Sequence, residues 1–393
     1  MKIKYISIPM ALLLCTLAWA QDYSAVLASI EQNSTTLRTL RSEAEADRMT
    51  ARTGLSPEDP EVEFGYLWET ADPEGGHRID LSATQSFAFP TVYYWKKKIS
   101  DGECAAADYR YAVARKKVLL EAKQLCIELT YRNALQKELD KCRSNAETIL
   151  GSWQEKFDSG SAGVIDLNKA RFALLSASRA ARTNSLEREA LLAELRTLNG
   201  GQALDFSFEE FASPLLPADF ESWYGQTVGR SSELQAVEND RRLAESERKL
   251  AASEWLPKFS VGYVSERVSG STLQGVAAGI SIPLWENRGK LRAAKARLEA
   301  ADARMQDEYL QFHNSLKAKY DKAQGLIELC AEYRGTLSSL SASDLLYEAL
   351  QGGEIALEDY VYGIELWNDA LTSVLESERD CHSLIAELES FGE

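Results

Sequence analysis

Asp166 and Asp359 stand 193 residues apart, and each comes six residues after a glycine, Gly160 and Gly353. A carboxylate at the start of a returning helix can favour the positive end of the helix dipole. If several copies converge, it can also concentrate cations. The glycines permit the positive-φ backbone of a sharp reversal. Other chemistry is sparse. His77, His313 and His382 are far apart, and only Met49 and Met305 lie beyond residue 20, so there is no methionine ladder for copper or silver. Cys104, Cys126, Cys142, Cys330 and Cys381 are odd in number and scattered through helix-forming sequence. They read as small apolar packing groups rather than a disulfide framework or metal motif. No phosphate loop, nucleophile elbow or paired metal motif occurs, so the sequence points to no enzyme and no cofactor.

A second set of carboxylates, Glu61, Glu63 and Glu69, alternates with Val62, Phe64, Tyr66 and Trp68. That is a strand with one polar and one apolar face. The stretch Arg78–Lys98 repeats the pattern: Ile79, Leu81, Ala83, Phe87 and Phe89 share one face, interrupted only by Gln85. Pro90 ends the ladder, and Tyr93, Tyr94, Trp95 and then Lys96, Lys97 and Lys98 follow. Aromatic then basic residues after an apolar strand suit passage through a lipid headgroup layer. Further on, Phe259, Val261 and Tyr263 alternate in one strand, and Val276, Ala278, Ile280 and Ile282 in the next. Pro283, Trp285, Arg288 and Lys290 repeat the terminator, aromatic and basic order.

The elements that carry these residues come twice. Pro90 to Pro283, Gly160 to Gly353 and Asp166 to Asp359 all keep the 193-residue offset. Three landmarks of different chemistry at one spacing mark an internal duplication. The first repeat, 21–206, is read as a helix to Leu55, a strand hairpin over 61–89 and a long helical hairpin over 98–198 that turns at Asp158–Asp166. The second, 207–393, is read as a helix over 219–256, a strand hairpin over 258–282 and a helical hairpin over 289–391 that turns at Gln351–Asp359. Leu119, Ala122, Cys126 and Leu129 step as a packing seam, as do Leu357, Val361, Ile364, Leu371 and Leu375, interrupted at Asn368.

Residues 1–20 read as a cleaved export leader: Lys2 and Lys4, an apolar run and Ala18-Trp19-Ala20. Leu14 before Cys15 does not suit a lipid anchor. Beyond the leader no apolar run approaches the roughly 20 residues of a spanning helix, so a membrane crossing must use strands. The formal charge of −16, or −18 without Lys2 and Lys4, is unsuited to nucleic acid. Four strands cannot close a barrel, for which about eight are needed, and open edges are not tolerated in lipid. The chain must therefore borrow strands from identical copies. The alternative is a soluble sheet whose apolar face lies under helices of its own chain.

The run FDSGSAGVIDLNKAR from Phe157, the FAFP of Phe87–Pro90 followed by Tyr93, and the duplication together resemble the TolC family of outer-membrane efflux proteins. Ile282–Lys290 (IPLWENRGK) is most similar to the heavy-metal efflux branch typified by CzcC and CusC. The resemblance implies a mainly α fold with a transmembrane β part. Three protomers would form a twelve-stranded outer-membrane barrel above a long antiparallel α-helical barrel. It implies a non-enzymatic duct that contacts outer-membrane lipid, a periplasmic membrane fusion (adaptor) protein and an inner-membrane pump of the RND type. Val62, Phe64, Tyr66, Trp68, Ile79, Leu81, Phe87, Val276, Ile280 and Ile282 would face lipid, with Tyr93, Tyr94, Trp95 and Trp285 at the interface. Gly160, Asp166, Gly353 and Asp359 would form the periplasmic gate. Asp359 matches a pore-facing carboxylate of drug-exporting members, whereas Tyr362 stands where those members carry a second aspartate. A type I protein-secretion duct is an alternative within transport. A periplasmic coiled-coil adaptor or scaffold is one of another class, and it would have no lipid-facing strands.

Overall fold

The computed structural model describes residues 23–68, 76–268, 270–340 and 342–392. The leader, Glu69, Pro73, Gly75 and Ser269 lie outside the described residues. Where one helix is expected up to Leu55, the chain forms α1 (Ser24–Asn33) and α2 (Thr35–Ala51). Ser34 between them is extended, at φ −59° and ψ 121°. The side chains at the end of α1 explain the break. Ser29 Oγ and Asn33 Nδ2 both donate to Asn199 Oδ1, at 3.0 and 3.2 Å.

β1 (Glu61–Trp68) and β2 (His77–Phe87) follow. Next comes α3 (Pro90–Asp158), a helix of 69 residues. It begins eight residues earlier than the sequence suggests. Pro90 starts it, because proline lacks the N–H that the first turn would leave unpaired. Tyr93, Tyr94, Trp95 and the three lysines therefore sit on helical turns rather than on an extended strand exit. α4 (Val164–Leu198) returns, and an irregular connector leads to α5 (Phe220–Val228) and α6 (Ser232–Ser253). These two also replace one expected helix, and each has its own cap. Asp219 Oδ2 accepts from the Ser222 N–H at 2.8 Å, and Ser231 Oγ from the Leu234 N–H at 3.4 Å. β3 (Lys258–Val268), β4 (Ser271–Ser281), α7 (Lys290–Leu340), α8 (Ala342–Gly352) and α9 (Leu357–Ser390) complete the chain. No helix among the described residues is long and apolar enough to cross a membrane.

The chain divides into two compact units, and each draws on both repeats. One holds residues up to 34, 119–218 and 319–389. Its core gathers Ile30, Cys126, Leu129 and Leu195, all nearly inaccessible, with Leu204, Phe206, Phe208 and Phe211 of the connector packed on it. The connector is irregular because its apolar side chains pack as isolated plugs. Tyr23 stacks on Phe206 and meets Phe208 edge-on, while its hydroxyl bonds Thr130 Oγ1 at 2.9 Å. Gly200, at φ 65°, ends α4; a Cβ there would stand 2.4 Å from the Asn33 carbonyl oxygen, so the close approach of α1 requires glycine.

The other unit holds 35–118, 219–318 and the last four residues, and it contains the sheet. Its buried helix faces are rich in alanine, including Ala44, Ala107, Ala244, Ala251 and Ala294. Small side chains let helices approach closely. The Asn239 amide donates to the Gly102 carbonyl at 2.9 Å across one such contact.

Candidate functional site

The four strands form one antiparallel sheet in the order β1-β2-β3-β4. Register decides what its faces contain, because a one-residue slip would exchange them. Phe64 pairs with Leu81 and Tyr66 with Ile79. Ala83 pairs with Tyr263, Gln85 with Val261 and Phe87 with Phe259. Tyr263 pairs with Val276, Val261 with Ala278 and Phe259 with Ile280. The apolar sets of all four strands thus fall on one face, which is interrupted by Gln85 and, toward the β3–β4 turn, by Ser265, Arg267, Thr272 and Gln274. Its side chains are uncovered: Phe64 is 70% exposed, Ile280 67% and Val276 81%. Val62, Tyr66, Trp68, Leu81, Phe87, Val261 and Tyr263 are exposed as well, while Ile79 is half-buried.

The opposite face carries Glu61, Glu63, Ser82, Thr84, Ser260, Gly262, Gly275, Ala277 and Gly279. Asp80 stands directly across from Glu266, a like-charge pairing that is unfavourable alone. Arg78 Nε relieves it, at 2.8 Å from Asp80 Oδ1 and 3.2 Å from Glu266 Oε1. Among the described residues the outer edges of β1 and β4 have no partner strand, so both edges are open to pairing.

The aromatic residues flanking the strands are placed differently in the two repeats. Tyr93 accepts the Ala88 N–H at 3.0 Å, Tyr94 is exposed, and Trp95 lies half-buried under Lys249 Nζ at 4.8 Å. Ile282, Leu284 and Trp285 are instead exposed on the loop before α7.

The two helical reversals close alike. At the first, the Gly160 N–H donates to the Phe157 carbonyl at 2.9 Å and the Ser161 N–H to Lys156 at 2.7 Å. At the second, the Gly353 N–H donates to Leu350 at 3.2 Å and the Glu354 N–H to Ala349 at 2.9 Å. This paired pattern satisfies the last carbonyls of a helix and needs a left-handed residue; both glycines have φ 74°. Asp166 and Asp359 lie in the first turns of the returning helices. Asp359 is exposed, and its Oδ2 accepts the Ala356 N–H at 3.4 Å, half of a capping box.

The fold brings these two reversals together. A cleft of about 320 Å³ between them is lined by Trp153, Lys156, Asp166, Lys169, Leu357 and Glu358, among others. Ile149 also lines it, and Ile149 and Leu357 belong to a buried apolar cluster with Ala170 and Tyr360. Lys169 Nζ reaches Glu358 Oε2 at 2.8 Å, and this hydrogen-bonded charge holds the glutamate below its ordinary pKa. A second pair joins the other two helices of the hairpins, Lys141 Nζ on α3 reaching Asp344 Oδ1 on α8 at 2.7 Å. Sequence reading missed both pairs, because nothing in linear spacing says which charge of one hairpin meets which of the other. The Asn368 interruption is explained by Cys142, whose Sγ bonds Asn368 Oδ1 at 3.5 Å.

The three histidines are not brought together. His77 begins β2, His313 Nε2 stands 3.5 Å from Glu221, and His382 stacks on Phe211. Among the described residues no three histidine, cysteine or acidic side chains are grouped to hold a metal ion.

No protein-family model matches the sequence, and no curated protein matches it either. Solved structures do. The CmeC outer membrane channel of Campylobacter jejuni is 16% identical with a TM-score of 0.75, covering 95% of this chain and 86% of that one. The outer membrane protein VceC of Vibrio cholerae is 15% identical with a TM-score of 0.74, over 94% of this chain and 95% of its own. CusC, described for its transmembrane channel formation, is 14% identical with a TM-score of 0.76, over 95% and 92%. The chain has the outer-membrane channel fold. This is the fold implied by the TolC resemblance, shared here over nearly the whole length of both partners in each comparison.

Proposed function

We propose that this chain is one protomer of an exit duct in the outer membrane of a Gram-negative cell, passing small molecules or metal ions from the periplasm outward without catalysis. The observation that carries the reading is the sheet: a largely apolar face left uncovered, with both edges open among the described residues. Water disfavours the face and lipid disfavours the edges, so only a closed, lipid-embedded oligomer satisfies both. Alternating strand directions leave β4 of one copy antiparallel to β1 of the next, as closure requires. Two copies supply eight strands and three supply twelve; the TolC resemblance selects three.

Glu61, Glu63, Asp80 and Glu266 then line a wet lumen, the usual polarity of such barrels. The hairpin reversals point to the periplasmic gate. There Asp359 recurs threefold and draws cations, and the cleft beside Lys169 and Glu358 suits contact with an adaptor protein. The pump, of the RND type, supplies the energy. The uncovered sheet favours a duct over a periplasmic coiled-coil scaffold, which has no use for an apolar sheet face.

Detergent extraction from outer-membrane fractions, followed by gel analysis with and without heating, tests the proposal. A heat-modifiable trimer that conducts ions in planar bilayers is the expected result. A stable monomer recovered in detergent-free buffer overturns it.

A further inference from the structure

The base of the second helical hairpin holds a pair of thiols that the duct reading does not use. Cys330 on α7 and Cys381 on α9 are buried, carry no disulfide and line one cleft of about 210 Å³ with Phe211, Arg334, Glu378 and His382. Two ion pairs set the antiparallel register of these helices. Lys319 Nζ meets Glu387 Oε2 at 2.8 Å; Arg334 Nε meets Glu378 Oε1 at 2.6 Å, and Nη2 meets Oε2 at 3.0 Å. One turn back from Arg334 along α7 is Cys330, and one turn on from Glu378 along α9 is Cys381. The two cysteines therefore occupy facing turns, as a disulfide demands. The other thiols are engaged elsewhere: Cys126 in the main core, Cys142 on Asn368 and Cys104 on the Arg48 carbonyl.

We propose that Cys330 and Cys381 form a redox clip, a dithiol that closes to a disulfide across α7 and α9. The oxidant is a disulfide, either a small one such as oxidised glutathione or that of a thiol oxidoreductase. The Cys330 thiolate attacks it, one of its sulfurs leaves as a thiol, and the Cys381 thiolate displaces the second. One S–S bond forms in the chain, one breaks in the oxidant, and both protein thiol protons are lost, to the two new thiols or to solvent. Cys330 is the first to react because it is the more accessible of the two; burial and then Glu378 raise its thiol above the ordinary range, and Arg334 offsets only part of that. Burial pushes the Cys381 thiol up to about 12, so it serves as the resolving group. The closed loop contains α8, the Gly353 reversal and most of α9, so the clip tethers the whole second tip at its base. The native oxidant rests on the export reading, since such bonds persist in oxidising compartments; the chemistry itself does not.

Purified full chain in detergent, incubated with oxidised glutathione, denatured and alkylated with a maleimide, reads this out by intact mass. The five thiols beyond the leader accept five labels after reduction. Oxidation is expected to lower this to three, with a chain about 2 Da lighter before labelling and a Cys330–Cys381 cross-linked peptide. Cys381→Ser is expected to leave Cys330 as a glutathione adduct, and Cys104→Ser to leave the cross-link intact. Five labels after oxidation, or a cross-link through Cys126 or Cys142, overturns the clip. Neither result bears on trimer formation or conductance, which test the duct separately.

Discussion

The sheet and the paired helical reversals are both exposed, yet they meet water in opposite ways. At the reversals the backbone demands are met inside the chain, although Val164, Ile165 and Tyr362 are exposed: the paired bonds around Gly160 and Gly353 satisfy the helix ends, and Lys169 meets Glu358 across the cleft. The sheet leaves its demands open, with Phe64, Val276 and Ile280 uncovered and two strand edges unpaired. An element complete in one copy can move as a unit. One that is incomplete must be finished by its surroundings.

The strongest way to break this contrast is a charge on the apolar face. Ile280→Lys is expected to cost about 2–4 kcal/mol near mid-bilayer and to abolish most of the trimer on unheated gels. Normal trimer yield would mean that this face does not meet lipid. Next in size is a pH effect at the base of the hairpin. Burial lowers the His382 pKa to about 4, so between about 4 and the ordinary histidine value the unfolded chain binds a proton that the folded one does not. Stability should therefore fall as pH drops through that window, by on the order of 2 kcal/mol. This is less than the full shift implies, because the ring is only half-buried. His382→Gln should flatten denaturation midpoints measured from pH 7 to 4, and an unchanged slope would count against it.

Smaller still is Gly353→Ala. Nothing lies within 4 Å of the added Cβ, so only the positive φ is penalised, by about 1 kcal/mol. Thermal unfolding should show a slightly lower midpoint with trimer yield intact; loss of the trimer would show that the reversals are not self-contained. Asp359→Ala should change stability least, since the bond it accepts from the Ala356 N–H is long and exposed. It should nonetheless lower cation selectivity in single-channel recordings, and an unchanged reversal potential in asymmetric salt would remove the gate role.

Several features were legible in linear order because local rules produce them. Alternation in twos located all four strands, and the repeated glycines located both reversals with their left-handed backbone. Helix limits were less legible. Pro90 reads as a stop after a strand, whereas it is the first residue of α3, and both meanings follow from the same missing N–H. The breaks at Ser34 and at 229–231 are signalled locally by Asn33-Ser34-Thr35 and by Gly229 and Ser231, cap and breaker residues that the helical stretches on either side outweigh in a linear reading. The first depends on Asn199, a residue 165 positions away in the chain.

The sequence by itself determined the element types and which side chains alternate, since each depends on neighbours within a few residues. Only the tertiary structure decided that four separate apolar sets share one face, that Lys169 meets Glu358 and that Cys330 faces Cys381. These are matters of register between distant segments, set by cross-strand hydrogen bonds and helix packing, and no local spacing encodes them.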